Sequence, residues 1–203
     1  MQRTITRAAT GLAAAALLVA AVPAAAQQGG HAAHGPAMPT SGFRAELIRD
    51  VEQLEQKYLG LAEAMTGKYG WRPGEGVRSV SEVFMHIAAA NFMIPIALGH
   101  QPPEAYRGAD QRETMSKLGA LEKVTDPERV KAELQHAFMH AKHTIAGIQD
   151  SQLDETIRLF GMDMTKRAAL NLLVNHMHEH LGQSIAYART NGVVPPWSAG
   201  TGN

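Results

Sequence analysis

The segment from residue 79 to residue 98 places the strongest constraint on the fold, because Glu82 is its only charged residue. Ser79 and Glu82 stand three residues apart in the pattern of a capping box, which predicts that a helix begins there. A helix that is apolar on every side must be covered by other elements. We therefore expect this helix to be largely buried, with Pro95 kinking it or lying near its end.

Three further segments repeat apolar residues at gaps of three and four, as amphipathic helices do. The first begins at Phe43, and the third follows an N-cap at Asp126-Pro127 and ends near Ile148. The last covers residues 165 to 190 and is ended by Gly192, with Pro195-Pro196 beyond it. No stretch shows convincing strand alternation, so we predict an all-α four-helix bundle.

The predicted second and third helices are joined by a long connection from residue 100 to residue 125. It contains Pro102-Pro103 and Gly108, and residues 115–123 suit a short helix. Long connections in compact domains often cover functional sites.

The first 26 residues have the pattern of a secretory signal peptide. Arg3 and Arg7 precede an apolar run, and residues 24–26 are alanines, which predicts cleavage before Gln27. A retained membrane anchor is the alternative, but the apolar run is shorter than the roughly 20 residues of a spanning helix. We expect Sec-type export to the periplasm or outside the cell, with no membrane span after cleavage. Residues 27–42 suit a flexible tail.

The composition limits the partners and the metal ligands that the chain can use. Nineteen basic and nineteen acidic residues balance, so charge gives no reason to expect nucleic acid as a partner. The chain has no cysteine, which excludes disulfides, iron–sulfur clusters and a cysteine nucleophile. Any metal must therefore be bound by imidazole or carboxylate groups.

The histidines of the second and fourth predicted helices form the main candidate site. His176 and His180 are four residues apart, so both rings lie on one helix face and can bind one cation. His86 lies in the middle of the apolar second helix. Alone it would be read as a packed core histidine, but three histidines on facing helices suggest a metal site with open positions.

Two other histidine patterns are weaker. Residues 176–180 also read His-x-x-Glu-His, an inverted zinc-protease motif, but no Asp or Glu follows Glu179 to complete it. His178 points away from His176 and His180, toward solvent or a partner. The third helix carries a set that is either a second metal site or a polar outer stripe, and amphipathicity favours the stripe. That set is His136, His140 and His143.

Several stretches together resemble the DinB-like superfamily of metal-binding four-helix bundles, over residues 43–197. They are residues 57–65, Trp71-Arg72-Pro73, residues 77–91, the His176-x-x-x-His180-Leu-Gly-Gln segment, and residues 187–196. The resemblance implies an up-down-down-up bundle and a homodimer. It also implies a divalent cation, nickel or zinc, bound by His86, His176 and His180.

The resemblance leaves several functions open. One is a metal-dependent hydrolase or transferase that acts on a small molecule, although export argues against transfer of cytoplasmic thiols. The alternatives are a non-catalytic metal-binding or stress-related envelope protein, and a helical dimer whose histidines are only packed. Glu82 suits a helix cap better than a catalytic base. Trp71 and Tyr187 either line a pocket or pack.

Overall fold

The structure is a computed structural model that describes residues 35–200. The predicted signal peptide and most of the predicted tail, with His31 and His34, lie outside the described residues. Beside four short 3-10 helices, five α-helices and one β-hairpin are the main regular elements of the described part. They are α1 (Gly42–Ala64), α2 (Val80–Ala97), α3 (Gln111–Gly119), α4 (Pro127–Gly147), β1 (Thr156–Leu159), β2 (Met162–Thr165) and α5 (Lys166–Thr190).

The four long helices begin and end within about two residues of the predicted positions, because their end signals are local. The Ser79 hydroxyl accepts a hydrogen bond from the Glu82 amide, and the Glu82 carboxylate accepts one from the Ser79 amide, which completes the capping box. Asp126 and Thr165 cap α4 and α5 through their side chains. Gly192 follows α5 with a φ of 72°, a conformation that glycine adopts without strain.

Helix α2 lies against most of the other elements. It packs on α4 and α5, on α3 and the turn after it, and on β1, while α1 covers the other sides of α4 and α5. By length and composition α2 is apolar enough to cross a membrane, yet 72% of it is buried within the protein. It is therefore the core helix, as its single charge predicts.

Ion pairs join α1 to α4 and to the turn that follows it. Arg44 contacts Asp150, Glu55 contacts Lys142, and Glu63 contacts Lys131. The beginning of α1 therefore lies beside the end of α4, and the two helices run in opposite directions.

The structure departs from the prediction in two places: the short helix of the connection is displaced, and the prediction of no strands is wrong. The long connection contains α3, a fifth helix, which begins four residues before the predicted short one. Residues 156–165 form an antiparallel hairpin in which Thr156 pairs with Thr165. Strands of four residues are too short to show clear alternation, and a lone hairpin is stable only when it packs on other elements. Here the hairpin packs on α2 and α5.

Asn91 on α2 is fully buried, and neither its Nδ2 nor its Oδ1 has a hydrogen-bond partner. We predict that Asn91→Leu, of similar size, raises the free energy of unfolding by about 1–3 kcal/mol, because an unpaired buried polar group is costly. Thr144→Val is the control, since the Thr144 hydroxyl donates to the His140 carbonyl and its loss should destabilise. Urea unfolding measures both, and a destabilised Asn91→Leu variant would contradict the prediction.

His140 of α4 packs against the Phe92 ring, 5.5 Å between centroids. Burial, with the nearby charges of His100, His143 and Arg107, lowers the pKa of His140 to about 4, from an ordinary 6.5. The unfolded chain then binds more protons than the folded one as pH falls from about 6.5 toward 4, so the stability of the fold declines over that range.

We predict that His140→Asn reduces the drop in melting temperature of the metal-free protein between pH 7 and pH 5. The exposed His136→Asn serves as the control and should leave that drop unchanged. Thermal unfolding followed by circular dichroism measures it. An undiminished drop in His140→Asn would mean that other groups account for the acid sensitivity.

Candidate metal centre

Three histidine rings meet where α2 faces α5. His86 comes from the middle of α2, and His176 and His180 come from successive turns of α5. The ring centroids lie 5.2 Å apart for His86 and His176, 4.8 Å for His86 and His180, and 4.6 Å for His176 and His180. Among residues 35–200, this is the one group of three or more metal-ligating side chains close enough to share an ion.

The spacing of the ring nitrogens suits a single cation. When one nitrogen is taken from each ring, the three nitrogens all lie within 4.8 Å of one another. A metal–nitrogen bond of about 2.0–2.1 Å requires such atoms to be at most about 4 Å apart, so a small inward movement of the rings is enough. All three side chains are partly buried.

Glu122 orients His86. Its Oε1 lies 2.8 Å from the Nδ1 atom of His86, an arrangement in which Nδ1–H donates and Nε2 keeps a free lone pair. Arg78 holds the same carboxylate through two hydrogen bonds, from Nε to Oε2 at 3.0 Å and from Nη2 to Oε1 at 3.2 Å. The carboxylate is therefore fixed from two sides.

A second chain of hydrogen bonds orients His180. The Nδ1 atom of His180 lies 2.7 Å from the Oε1 atom of Gln183, so it donates there and leaves Nε2 for a ligand. The Gln183 amide donates to the Tyr187 hydroxyl at 3.0 Å, and that hydroxyl donates to the Arg78 carbonyl at 3.2 Å. Trp71 packs edge-on against Tyr187, 5.3 Å between centroids. Arg78 thus takes part in both chains.

His176 has no such partner. Its Nδ1 atom is buried without a hydrogen bond. Burial, followed by the neighbouring His180 and His86, lowers the pKa of His176 to about 4. The ring is therefore neutral at physiological pH, the form that binds a metal. The buried Nδ1 atom of His176 has no hydrogen-bond partner, and coordination of a cation would satisfy it.

The surroundings lower the pKa of His86 and the pKa of Glu122, so the imidazole is neutral and the carboxylate is ionised. Burial lowers the pKa of His86, and the hydrogen bond to Glu122 offsets this only in part. Burial raises the pKa of Glu122, but hydrogen bonds from Arg78 and His86 outweigh it, and the pKa lies below its ordinary value. A neutral imidazole therefore donates to an ionised carboxylate.

Two cavities of different character border the three histidines, and Glu122 lines both. One, of about 580 Å³, is lined by charged and polar residues that include Arg72, Arg78, Glu122 and His180. The other, of about 250 Å³, lies beside His86 and His176 and has a mainly aliphatic wall. A ligand bound at the histidines can therefore have a polar and an apolar end.

The helix bearing two of the histidines is held by α1. The buried Tyr58 hydroxyl donates to the Met177 carbonyl at 2.7 Å, in the turn of α5 between His176 and His180. Burial raises the pKa of this hydroxyl well above 10 and keeps it protonated as a donor.

The other candidate residues lie elsewhere. His178 is half-exposed and contacts Asp50 at 2.9 Å. His136 is exposed and His140 packs on Phe92, and within the described part these two and His143 form no metal-binding group. Glu82 caps α2 and is held by Arg72, so its carboxylate has a structural role.

Reasoning from sequence missed the residues that orient the histidines. Gln183 lies three residues after His180, a spacing that places both on one helix face and was open to detection. Glu122 lies in the connection, 36 residues from His86, and no local pattern links the two.

Comparison with known proteins agrees with this fold. The sequence profile of the DinB superfamily matches residues 50–184. The crystal structure of a DinB-like protein from Bacillus subtilis, YjoA, superposes with a TM-score of 0.54 and 19% sequence identity, covering 72% of this chain and 92% of that one. No functionally curated protein shows significant sequence similarity to the chain.

We predict that Glu122→Gln weakens zinc and nickel binding about 10- to 100-fold, because groups that orient a ligating histidine contribute that much to affinity. Competition with a chromogenic chelator measures the dissociation constants. Glu113→Gln, which removes an exposed charge from the same connection, is the control and should bind like the wild type. Unchanged affinity in Glu122→Gln would mean that Glu122 does not support the site.

Proposed function

The chain belongs to the DinB superfamily, and we propose that it binds one divalent cation, nickel or zinc, through His86, His176 and His180. The observation that carries the proposal is the arrangement of the three rings. Two of them have their Nδ1 atoms engaged by Glu122 and Gln183, and the third has a buried nitrogen without a partner. Three protein ligands leave positions for other molecules, as in catalytic rather than structural sites.

We further propose that the protein is a metal-dependent hydrolase or transferase that acts on a small molecule. A bound cation would supply Lewis acidity toward a carbonyl or similar oxygen and activate water. Glu122 and Arg78 hold the proton on Nδ1 of His86, and Gln183 does so for His180, so both rings keep their orientation when a ligand enters. The two cavities that border the histidines favour this function over a metal carrier, which needs no room for a substrate.

The bundle path and the cellular setting are also proposals. An up-down-down-up path is supported by the opposed directions of α1 and α4 and by the 29-residue connection from Leu98 to Asp126, which is long enough to cross the bundle. Export to the periplasm or outside the cell rests on the pattern of residues 1–26. The homodimer rests on the resemblance to the superfamily alone.

The first test is elemental analysis of the protein purified without a His tag or chelator. We expect about one nickel or zinc ion per chain, lost in the His86→Ala, His176→Ala, His180→Ala triple variant. A second triple variant, His136→Ala, His143→Ala, His178→Ala, removes three histidines outside the group and should keep the metal. Circular dichroism verifies that both variants fold.

Absence of metal from the wild type, even after refilling with nickel or zinc, would contradict the metal site. Metal bound equally by both triple variants would place the ion elsewhere. If one ion binds at the three histidines, a panel of small esters, amides and epoxides with metal-loaded protein separates an enzyme from a carrier. Turnover lost on removal of the metal supports the enzyme, and metal without turnover across the panel favours the carrier.

A further inference from the structure

The cavity of about 250 Å³ beside His86 and His176, called the aliphatic cavity here, has a mostly apolar wall with a few polar residues. Its polar lining residues are His86, His176 and Glu122. The apolar part of the wall comprises Ala89, Ala90, Met93, Ile94, Leu172 and Phe160. An apolar cavity of about 150 Å³ binds benzene in an engineered protein, so this one has room for one ring with a short substituent.

The charges around this cavity are already paired. Glu122 accepts hydrogen bonds from Arg78 and His86, so its carboxylate already has two partners. No lysine or arginine of residues 35–200 lines the cavity. A ligand body that carried a charge would lose its hydration there without gaining a partner. The part of the ligand that enters the cavity is therefore uncharged.

Phe160 stands at the rim of the cavity in a strained conformation. It occupies the tip of the β1–β2 hairpin with a φ of 51°, next to Gly161 at 80°. The left-handed region is uncommon for a bulky residue, and asparagine or glycine adopts it at lower cost. The ring is also 60% exposed, so burial in the core does not explain it.

The position of Phe160 suggests what its ring does. Phe160 and Met93 line both the aliphatic cavity and a larger surface cleft of about 810 Å³ that reaches the connection before α3. Phe160 also borders a third hollow beside His176 and Leu172. The ring therefore stands where open surface gives way to the cavity, within reach of whatever enters.

We propose that the cavity binds an uncharged aromatic ring, with Phe160 and Met93 packing against it and a polar substituent directed toward His86 and His176. This inference rests on the proposed function, because it names the class of molecule that the three-histidine site receives. Aromatic pairs and sulfur–aromatic contacts favour a ring over an alkyl chain of the same size. The strain at Phe160 then has a use, since it holds a ring over the ligand.

The test uses metal-free protein, so that it does not depend on whether a cation binds. The probe is benzyl alcohol, a neutral ring with one polar substituent, and benzoate is the charged comparison. Methionine methyl groups labelled with ¹³C report binding through the chemical shift of Met93. We expect a saturable shift with benzyl alcohol and at least tenfold weaker binding of benzoate.

Three variants distinguish binding of benzyl alcohol in the cavity from unspecific binding to the protein surface. Phe160→Asn keeps a residue that tolerates the left-handed turn but removes the ring, and should weaken benzyl alcohol binding about three- to tenfold. Met162→Thr removes another exposed apolar side chain from the same hairpin, one that does not line the cavity, and should bind like the wild type. Ala90→Leu fills the cavity and should abolish binding.

No saturable shift at Met93 in the wild type, or equal binding of benzyl alcohol and benzoate, would overturn the inference. So would equal effects of Phe160→Asn and Met162→Thr. Metal content is measured on separate samples of the same variants. A protein that binds metal at the histidines but no aromatic ring would leave the proposed function standing and reject the aromatic ligand.

Discussion

The need to bury α2 on every side organises this protein. A helix with one charge in its length must be surrounded, and α4, α5, α3 and the hairpin all pack against it. The cover is incomplete where α2 faces α5, because the rings of His86, His176 and His180 meet there and are only partly buried. The candidate site is therefore the polar gap in the cover of an otherwise apolar helix.

Features with local causes could be predicted from the sequence. Caps at Ser79, Asp126 and Thr165 determine where helices begin, and each depends on a side chain within three residues of the amide that it binds. The pairing of His176 with His180 follows from helix geometry alone. The meeting of His86 with that pair depended on the two helices being neighbours, which the bundle prediction and the family resemblance supplied.

Features with long-range causes could not be predicted. Glu122 reaches His86 only because the connection folds back against α2, and residues 98–126 contain no pattern that specifies this path. The hairpin was missed because its two strands of four residues depend on α2 and α5 for their stability. Phe160, and with it the rim of the aliphatic cavity, was missed for the same reason.

The hydrogen bond from Tyr58 to the Met177 carbonyl has a consequence for the direction of the candidate ligands His176 and His180. Each residue of a helix advances about 100° around its axis, so a one-residue slip of α5 would turn both histidines away from α2. Tyr58 binds the turn of α5 between His176 and His180, so α1 fixes the rotation of α5 about its axis although none of the three histidines lies on α1. One residue added to α5 before His176 would rotate the part of the helix that carries the histidines by about 100° relative to the part that follows the hairpin. Either the hairpin would have to move, or the histidines would no longer face α2. The length of that helical segment is thus part of the site's specification, as much as the identity of the rings.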